Sequence, residues 1–538
     1  MERSNFPRFL LYHIEKTPDK VYLQFEKEKF TYEQMHEKIG RLVSGLKELD
    51  IQNGDHVCVM LNNCPEYLDV WFGLSFLGAV SVPLNVHLIG KGLTYILSHS
   101  ECKAIILHHE FLPKILPGIS ELNRQVKLII VNDSDTDSEK TELEPHIDFN
   151  PVFSYQQLLQ TAQPVDIDPS VSPDAIQSIL YTSGTTGLPK GVMLSHASYV
   201  KSGQAFAEHM IQATSDDILF TSLPLFHINA QAHTVMGAIA QNATIALGKR
   251  FSASRFWDEI RNHRATIFNS LGSMIPILCK QPEKPNDRNN PARRTACAAT
   301  PKEFWKVFEE RFGVQIIEGY GLTETTGFCI SNTLTANRPP SMGKPFSSVK
   351  VKIADEQDNE LPVRERGEIL IHTLEEDVLM KGYFKNPEKT DEALKGGWFH
   401  TGDRGYQDEE GYLYFSDRTK QCIRRRGENI SSWEIEKAVN DHPKVLETAA
   451  VGVPSEIGEE DVKLYVILHK EQTLTPEEII DWCSDRMAYF MVPRYVEFIH
   501  SFPKTATERI QKFKLKALGI GDAWDREQAN YRLKVNRR

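Results

Sequence analysis

The sequence has no cysteine pair at CxxC spacing, no histidines at zinc-finger spacing, no excess of positive charge and no apolar run of membrane-spanning length. Each absence removes a class of function. The eight cysteines (Cys58, Cys64, Cys102, Cys279, Cys297, Cys329, Cys422 and Cys483) are scattered, which reads as buried or incidental thiols of a reducing compartment. A formal net charge of −11 argues against a nucleic-acid partner, which requires a basic face to displace counterions. An acidic chain that handles anions must therefore gather its positive charge locally. The N-terminal "MERSNFPRFLLYHIEKTPDK" has neither a long apolar region nor a small-residue cleavage site, so no secretory signal is expected. The most membrane-like stretch, "YLDVWFGLSFLGAVSVPLNV" at 67–86, carries Asp69, two glycines and Pro83, and falls short of the roughly 20 apolar residues of a spanning helix. It predicts instead a buried helix from Pro65 to Leu77, ended by Gly78, and then a core strand "AVSVPLN". A cytoplasmic protein without a membrane span is expected.

At 538 residues the chain is too long for one hydrophobic core and should divide into domains. Up to about residue 415, short β-branched runs such as "DHVCVML" and "CKAIILHH" alternate with amphipathic helical patterns. This alternation predicts a layered α/β domain with substantially parallel sheets. The polar segments 131–151 and 280–294 read as surface loops. After "GYLYFSDRTKQCIRRRGENISS" the texture changes to helices "SSWEIEKAVNDH" and "TPEEIIDWCSDRM" with strands "ETAAVGVP", "VKLYVILH" and "RYVEFIH", a small α+β unit. The expected division is 1–416 for a large N-terminal domain and 417–538 for a small, mobile C-terminal one, with a loosely held tail near Trp524.

The most informative stretch is "ILYTSGTTGLPKGVMLSH" at 179–196. An apolar strand runs into Thr182, Ser183, Gly184, Thr185, Thr186 and Gly187, followed by Lys190 and Gly191. Glycines admit an anion close to the backbone, hydroxyls and amides donate to phosphate oxygens, and lysine adds a fixed charge. It is not a Walker A loop, because Leu188 and Pro189 separate Gly187 from Lys190 and Gly191 stands where Ser or Thr is required. By itself such a string also fits a flexible Ser/Gly/Thr turn.

The full string resembles the phosphate-binding signature of the adenylate-forming superfamily: the acyl-CoA synthetases, adenylation domains and luciferases. Other segments resemble that family's further signatures in order: "PLFHINA" at 224–230, "EGYGLTETTG" at 318–327, "GWFHTGDRGY" at 397–406, "SDRTKQCIRRRGENISSWEIE" at 416–436 and "SFPKTATERIQKFKLK" at 501–516. The resemblance implies an AMP-forming ligase that uses ATP, Mg²⁺ and CoA to activate a small-molecule carboxylate. It assigns the 182–187 loop and Lys190 to the β and γ phosphates. It assigns Glu318, Gly319, Tyr320 and Gly321 to the nucleotide strand, with Tyr320 by the adenine. It assigns Thr323 to the α-phosphate, Glu324 to Mg²⁺, Asp403 to the ribose and Arg418 to ribose or phosphate. His227 would line the acyl pocket near the reacting carboxylate, whereas His233 and Asn229 have no such support and are pocket polar groups at most. Lys420 corresponds to the hinge about which the small domain turns between two half-reactions, and Arg426, Gly427 and Glu428 to the CoA side. "RRRGE" also fits an exposed hairpin. Within the superfamily the chain looks most like the crotonobetaine/carnitine-CoA ligase type, through "PLFHI", "RRRGENIS", "TATERIQKFKLK" and "WDRE". A homodimer is the default expectation.

One departure stands out. Where the family keeps its catalytic lysine this chain has Arg509, and Glu508 replaces the preceding glycine. Arginine keeps the charge but is planar, forked and bulkier, so the exchange is not conservative. Three readings compete: Arg509 does the lysine's work; Lys512 or Lys504 substitutes; or adenylation is impaired and a nucleotide- or acyl-adenylate-binding protein remains. The retained carboxylates Glu324 and Asp403 favour the first. A non-CoA acceptor for the activated acid is a further alternative.

Overall fold

The computed structural model describes residues 4–119, 122, 126–132, 151–167, 170–182, 188–418, 422–503 and 510–533. The protein is α/β, and two large sheets carry most of the chain before residue 330. In the first, five parallel strands run in the order Val80–Pro83, His56–Met60, Ala104–His108, Lys127–Val131 and Val152–Ser154. Ile176–Thr182 joins beside Val80–Pro83, and the antiparallel strands Lys190–Ser195 and Gly382–Tyr383 extend that side. In the second, Gln315–Leu322, Arg294–Cys297, Ile267–Asn269, Ile218–Thr221, Thr244–Leu247 and Val21–Phe25 lie parallel. Strands buried on both faces read as continuous apolar runs, and Ala104–His108 is buried at every position.

The helix Pro65–Leu77 forms where the sequence places it. Proline occupies its first turn, and Gly78, at φ +73°, ends it. Its apolar residues surround the axis because it is buried on nearly all sides, the arrangement of an interior helix. Asp69 is the exception inside it, 1% exposed, with Lys38 Nζ at 3.6 Å.

A third, antiparallel sheet of Val349–Ala354, Gly367–Thr373, Phe399–Gln407 and Leu413–Arg418 follows. Beyond it the chain builds the hairpin Cys422–Arg425/Glu428–Ser431, then a four-stranded sheet of Val445–Pro454, Glu460–Leu468, Tyr495–Phe498 and Trp524–Asp525. Helices Ser432–Asn440 and Pro476–Ser484 accompany that sheet. Its apolar clusters draw on residues 423–533 and are separate from the main core.

The chain near Trp524 is held more firmly than its composition suggests. The Arg494 guanidinium forks onto Asp525 at 3.1 and 3.2 Å and reaches Asp461 at 3.0 Å, and Trp524–Asp525 pairs with Tyr495–Phe498. A charge-assisted fork of this kind fixes a segment that hydropathy marks as a tail. The predicted loop at 131–151 falls almost wholly outside the described residues. Among the described residues, no helix is long and apolar enough to cross a membrane.

Candidate active site

The strand Gln315–Leu322 delivers the first group of side chains. Its end meets Gly327–Ser331 in an antiparallel turn with a register shift between Tyr320 and Gly321. A Cβ on Gly321 would stand 1.9 Å from the Gly327 carbonyl oxygen, so the two backbones approach as only glycine permits. Thr325 closes the turn: its hydroxyl accepts from the Leu322 amide at 2.8 Å and lies 2.6 Å from the Gly327 carbonyl. Thr323 and Glu324 are thereby presented at the carboxyl end of a parallel strand, the position where open α/β sheets bind ligands.

Tyr320 and Asp403, far apart in sequence, meet here. The tyrosine hydroxyl donates to Asp403 Oδ2 at 2.8 Å, and both residues are buried. Burial and the adjacent Asp403 carboxylate push the phenol well above its ordinary value, so it stays a donor. Arg418 stands opposite Asp403 in the ladder between Phe399–Gln407 and Leu413–Arg418.

Glu324 is pinned twice by one short segment. Its carbonyl accepts from the Met380 amide at 2.8 Å, and its Oε1 accepts from the Tyr383 hydroxyl at 2.9 Å. Lys190 begins its strand opposite Thr182, and its Nζ lies 4.0 Å from the centre of the Tyr383 ring. Lysine, tyrosine and glutamate thus form one contiguous group. Tyr383 belongs to none of the motifs above; "GYFKNP", in which Gly382 and Tyr383 precede a helix capped by Asn386, is the signal available in the sequence.

Glu318 has a different place from the one its motif suggests. Its carboxylate turns to the amides of Ala299 and Thr300 and takes the Thr300 hydroxyl at 2.6 Å. Burial pushes it up to about 7. It shapes the 298–300 loop, against which Gly272 packs so closely that a Cβ there would fall 1.8 Å from the Ala299 oxygen. Gly319 underlies the same strand, close to Met210 and Phe328.

The second group assembles across sequence distance. Arg426 and Gly427 form the two-residue turn of the 422–431 hairpin, with φ of +51° and +84°, as a tight hairpin of this kind demands. The turn is not simply exposed. A Cβ on Gly427 would stand 2.3 Å from Leu271 Cδ1, and Glu428 Oε1 lies 3.0 Å from His227 Nε2 and 3.3 Å from Asn85 Nδ2. Burial alone would raise Glu428, but the neighbouring His227, with Arg424 and His87, brings it below its ordinary value. His87 packs edge-on against Tyr489 with centroids 4.9 Å apart, and burial lowers its ring to about 4. Asn85 and His87 were not anticipated from sequence.

The arginines of "RRRGE" divide. Arg425 is buried, donating to Asp461 and to the carbonyls of Phe490 and Val492. Arg426 is half-exposed, 3.6 Å from Glu527. His233 is buried and stacked on Phe328 at 4.3 Å; its Nε2 accepts the Phe328 amide at 2.8 Å, and burial lowers the ring to about 3. It is a neutral strut behind Gly327. Asn229 accepts from Asn269 at 2.9 Å. Lys512 donates to Ser432 and Glu436, both at 2.8 Å, which commits it to the small domain's own packing.

Ser183, Gly184, Thr185, Thr186, Gly187, Lys420, Lys504 and Arg509 lie outside the described residues, and of Arg418 only the backbone is described. Among the described residues no group of three or more His, Cys, Asp or Glu could hold a metal. The donor set fits a cation held by one carboxylate and by substrate phosphates, as Mg²⁺ commonly is.

The AMP-binding enzyme family matches residues 10–384, and the AMP-binding enzyme C-terminal domain matches 434–509. The crotonobetaine/carnitine–CoA ligase of Salmonella paratyphi A is 35% identical over 512 residues, covering 93% of this chain and 96% of its own. An anthranilate CoA ligase solved with anthranoyl-AMP is 26% identical, with a TM-score of 0.72 over 96% of this chain and 98% of that one. An o-succinylbenzoate CoA synthetase from Bacillus subtilis, at 24% identity and a TM-score of 0.80, covers 95% of this chain and 99% of its own and shares the fold.

Proposed function

Because the chain belongs to the AMP-binding enzyme family, we propose that it is an AMP-forming acid–thiol ligase, activating a carboxylic acid with ATP and passing the acyl group to CoA. The observation that carries the reading is the seating of the Arg426–Gly427 turn, with Glu428, against His227, Asn85 and Leu271. A glycine turn brought from a separate unit onto the acyl side is what a thiol-bearing arm needs beside it.

In the first half-reaction the substrate carboxylate attacks the α-phosphorus of ATP; an acyl–phosphate bond forms and the bond to pyrophosphate breaks. Tyr320 packs by the adenine while its hydroxyl aims Asp403 at the ribose, with Arg418 on ribose or phosphate. Thr182, Ser183, Gly184, Thr185, Thr186, Gly187 and Lys190 hold the β and γ phosphates, and Thr323 reaches the α-phosphate. Gly319 and Gly321 let the backbone lie close beneath the nucleotide, and Glu318 acts through the 298–300 loop. Glu324 would hold Mg²⁺, which when bound neutralises charge on the departing pyrophosphate. In the second half-reaction the thiol of CoA attacks the acyl carbonyl and AMP leaves. Residues 417–538, turning about Lys420, act as the lid that presents Arg509 for the first step and the 426–428 turn for the second. Holding the reactants in line supplies much of the rate.

The proposed acid is a small to medium carboxylate. Crotonobetaine and carnitine come first because of the relative that is 35% identical. Purified protein with Mg·ATP, CoA and a pooled panel of short, medium, aromatic and betaine-type acids is expected to give a CoA thioester by mass spectrometry. Arg509→Ala is expected to slow acyl-AMP formation about a hundredfold, as for a lost transition-state donor, while sparing thioester formation from supplied acyl-AMP. The arginine at 509 also motivates the second reading, a nucleotide- or acyl-adenylate-binding protein. ATP binding without pyrophosphate release across the panel would favour it.

A further inference from the structure

We propose that Tyr383 is a positioning residue of the adenylation half-site, holding the Glu324 carboxylate in its working orientation while its ring packs against the Lys190 ammonium. This rests on the reading that Glu324 is the Mg²⁺ carboxylate. The Tyr383 hydroxyl donates to Glu324 Oε1 at 2.9 Å while its ring lies beneath the Lys190 ammonium at 4.0 Å. The tyrosine gives the carboxylate a directed hydrogen bond and the cation a ring face. The bond falls on Oε1 and so fixes the direction in which Oε2 points.

The framework that holds Tyr383 is built for position. Tyr383 pairs with Val192 two residues into the strand that Lys190 begins, its amide donates to the Thr390 hydroxyl at 2.9 Å, and its side chain is 5% exposed. Gly382, at φ +126°, admits Thr390 so closely that a Cβ would stand 2.8 Å from its methyl carbon. With Met380 on the Glu324 carbonyl, the 380–383 segment fixes both the backbone and the side chain of the proposed metal ligand. Outer partners of this kind commonly change metal affinity about 10–100-fold when removed.

The test uses Mn²⁺ as the probe, titrated by electron paramagnetic resonance into full-length protein saturated with α,β-methylene-ATP. Wild type, Tyr383→Phe and Glu324→Gln are compared, and binding of the same analogue in EDTA serves as the metal-free reference. Tyr383→Phe keeps the ring under Lys190 and removes only the hydroxyl. It is expected to weaken Mn²⁺ about tenfold while metal-free analogue binding stays within twofold of wild type. Mn²⁺ affinity within twofold of wild type in Tyr383→Phe, with Glu324→Gln weakened, overturns the role of Tyr383 and leaves the carboxylate reading standing. Equal losses with and without metal overturn it as well, since they report general damage. If Glu324→Gln binds Mn²⁺ like wild type, the carboxylate reading fails and takes this one with it.

Discussion

The proposed nucleotide half and the proposed thiol half of the site are built by different means. Tyr320, Asp403, Glu324, Tyr383 and Lys190 come from strands or strand ends of sheets that share one main core. Tyr383 and Lys190 stand on paired strands, and the Tyr320–Asp403 and Tyr383–Glu324 contacts join neighbouring sheets through that core. The proposed thiol half depends on a two-residue turn from the 422–431 hairpin whose flank reaches His227, Asn85 and Leu271. A substitution in the first half should therefore disable nucleotide chemistry in any arrangement of the chain. One in the turn should affect only the step for which the turn is seated.

The largest separation is expected from Asp403→Ala. It removes the proposed ribose acceptor and leaves the buried Tyr320 hydroxyl without its partner. A buried group stripped of its hydrogen bond costs about 1–3 kcal/mol, and each charge-assisted bond to the ligand adds a comparable amount. ATP-dependent acyl-AMP formation should fall on the order of a hundredfold or more, and differential scanning calorimetry should show a lower melting temperature. Retained pyrophosphate release would remove Asp403 from the nucleotide site.

Gly427→Val probes the other half. A β-branched residue at φ +84° is strained, by about 1–2 kcal/mol, and its Cβ points into Leu271. Thioester formation from supplied acyl-AMP is expected to drop about tenfold or more, while pyrophosphate release in a single turnover stays near wild type. A parallel loss in both steps would mean that the turn serves the fold and not the second step, and the contrast between the halves would collapse.

These halves were also unequally legible in the sequence. Helices and strands with clear periodicity were placed correctly, down to Gly78 at the end of Pro65–Leu77, because their signals are local. The meeting of Tyr320 with Asp403 across more than eighty positions was legible only through family resemblance, since no spacing encodes a contact between distant strands. Tyr383 was missed for the same reason: it acts through tertiary contacts with Lys190 and Glu324. The triplet Arg424–Arg426 is uniform in sequence, yet the strand buries Arg425 on Asp461 while the turn that follows leaves Arg426 outward. The sequence offers His233 beside "PLFH" as a pocket polar group at most, and the resemblance assigns Glu318 within "EGYGLTE" to the nucleotide strand. Burial places them behind the strand and the loop that form the site.

The smallest effect concerns Glu318, and it sharpens the contrast from the side of stability. Its carboxyl is pushed up to about 7 from an ordinary 4.5 by burial, although Thr300 and the amides of Thr300 and Ala299 work the other way. Between those values the folded protein retains a proton that the unfolded chain releases, so raising the pH favours unfolding. The contribution is intact below about pH 4.5 and lost by about pH 7. Glu434, raised by burial to about 7, acts in the same sense and window, and Asp69, raised by burial from 3.8 to about 6, acts in the same sense over a lower one. Wild-type melting temperature should therefore decline by a few degrees from pH 5 to pH 8, at about 2–4 °C per kcal/mol for units of this size. Glu318→Gln keeps an oxygen for the two amides and places an amino group by the Thr300 hydroxyl, which can turn to accept it. The variant should flatten part of that decline and leave thioester formation nearly unchanged, because Glu318 reaches the nucleotide only through the 298–300 loop. A pH profile identical to wild type would mean that Asp69 and Glu434 carry the dependence. A large loss of acyl-AMP formation would mean instead that Glu318 meets the nucleotide directly, and the loop it supports would cease to be the reason for its burial.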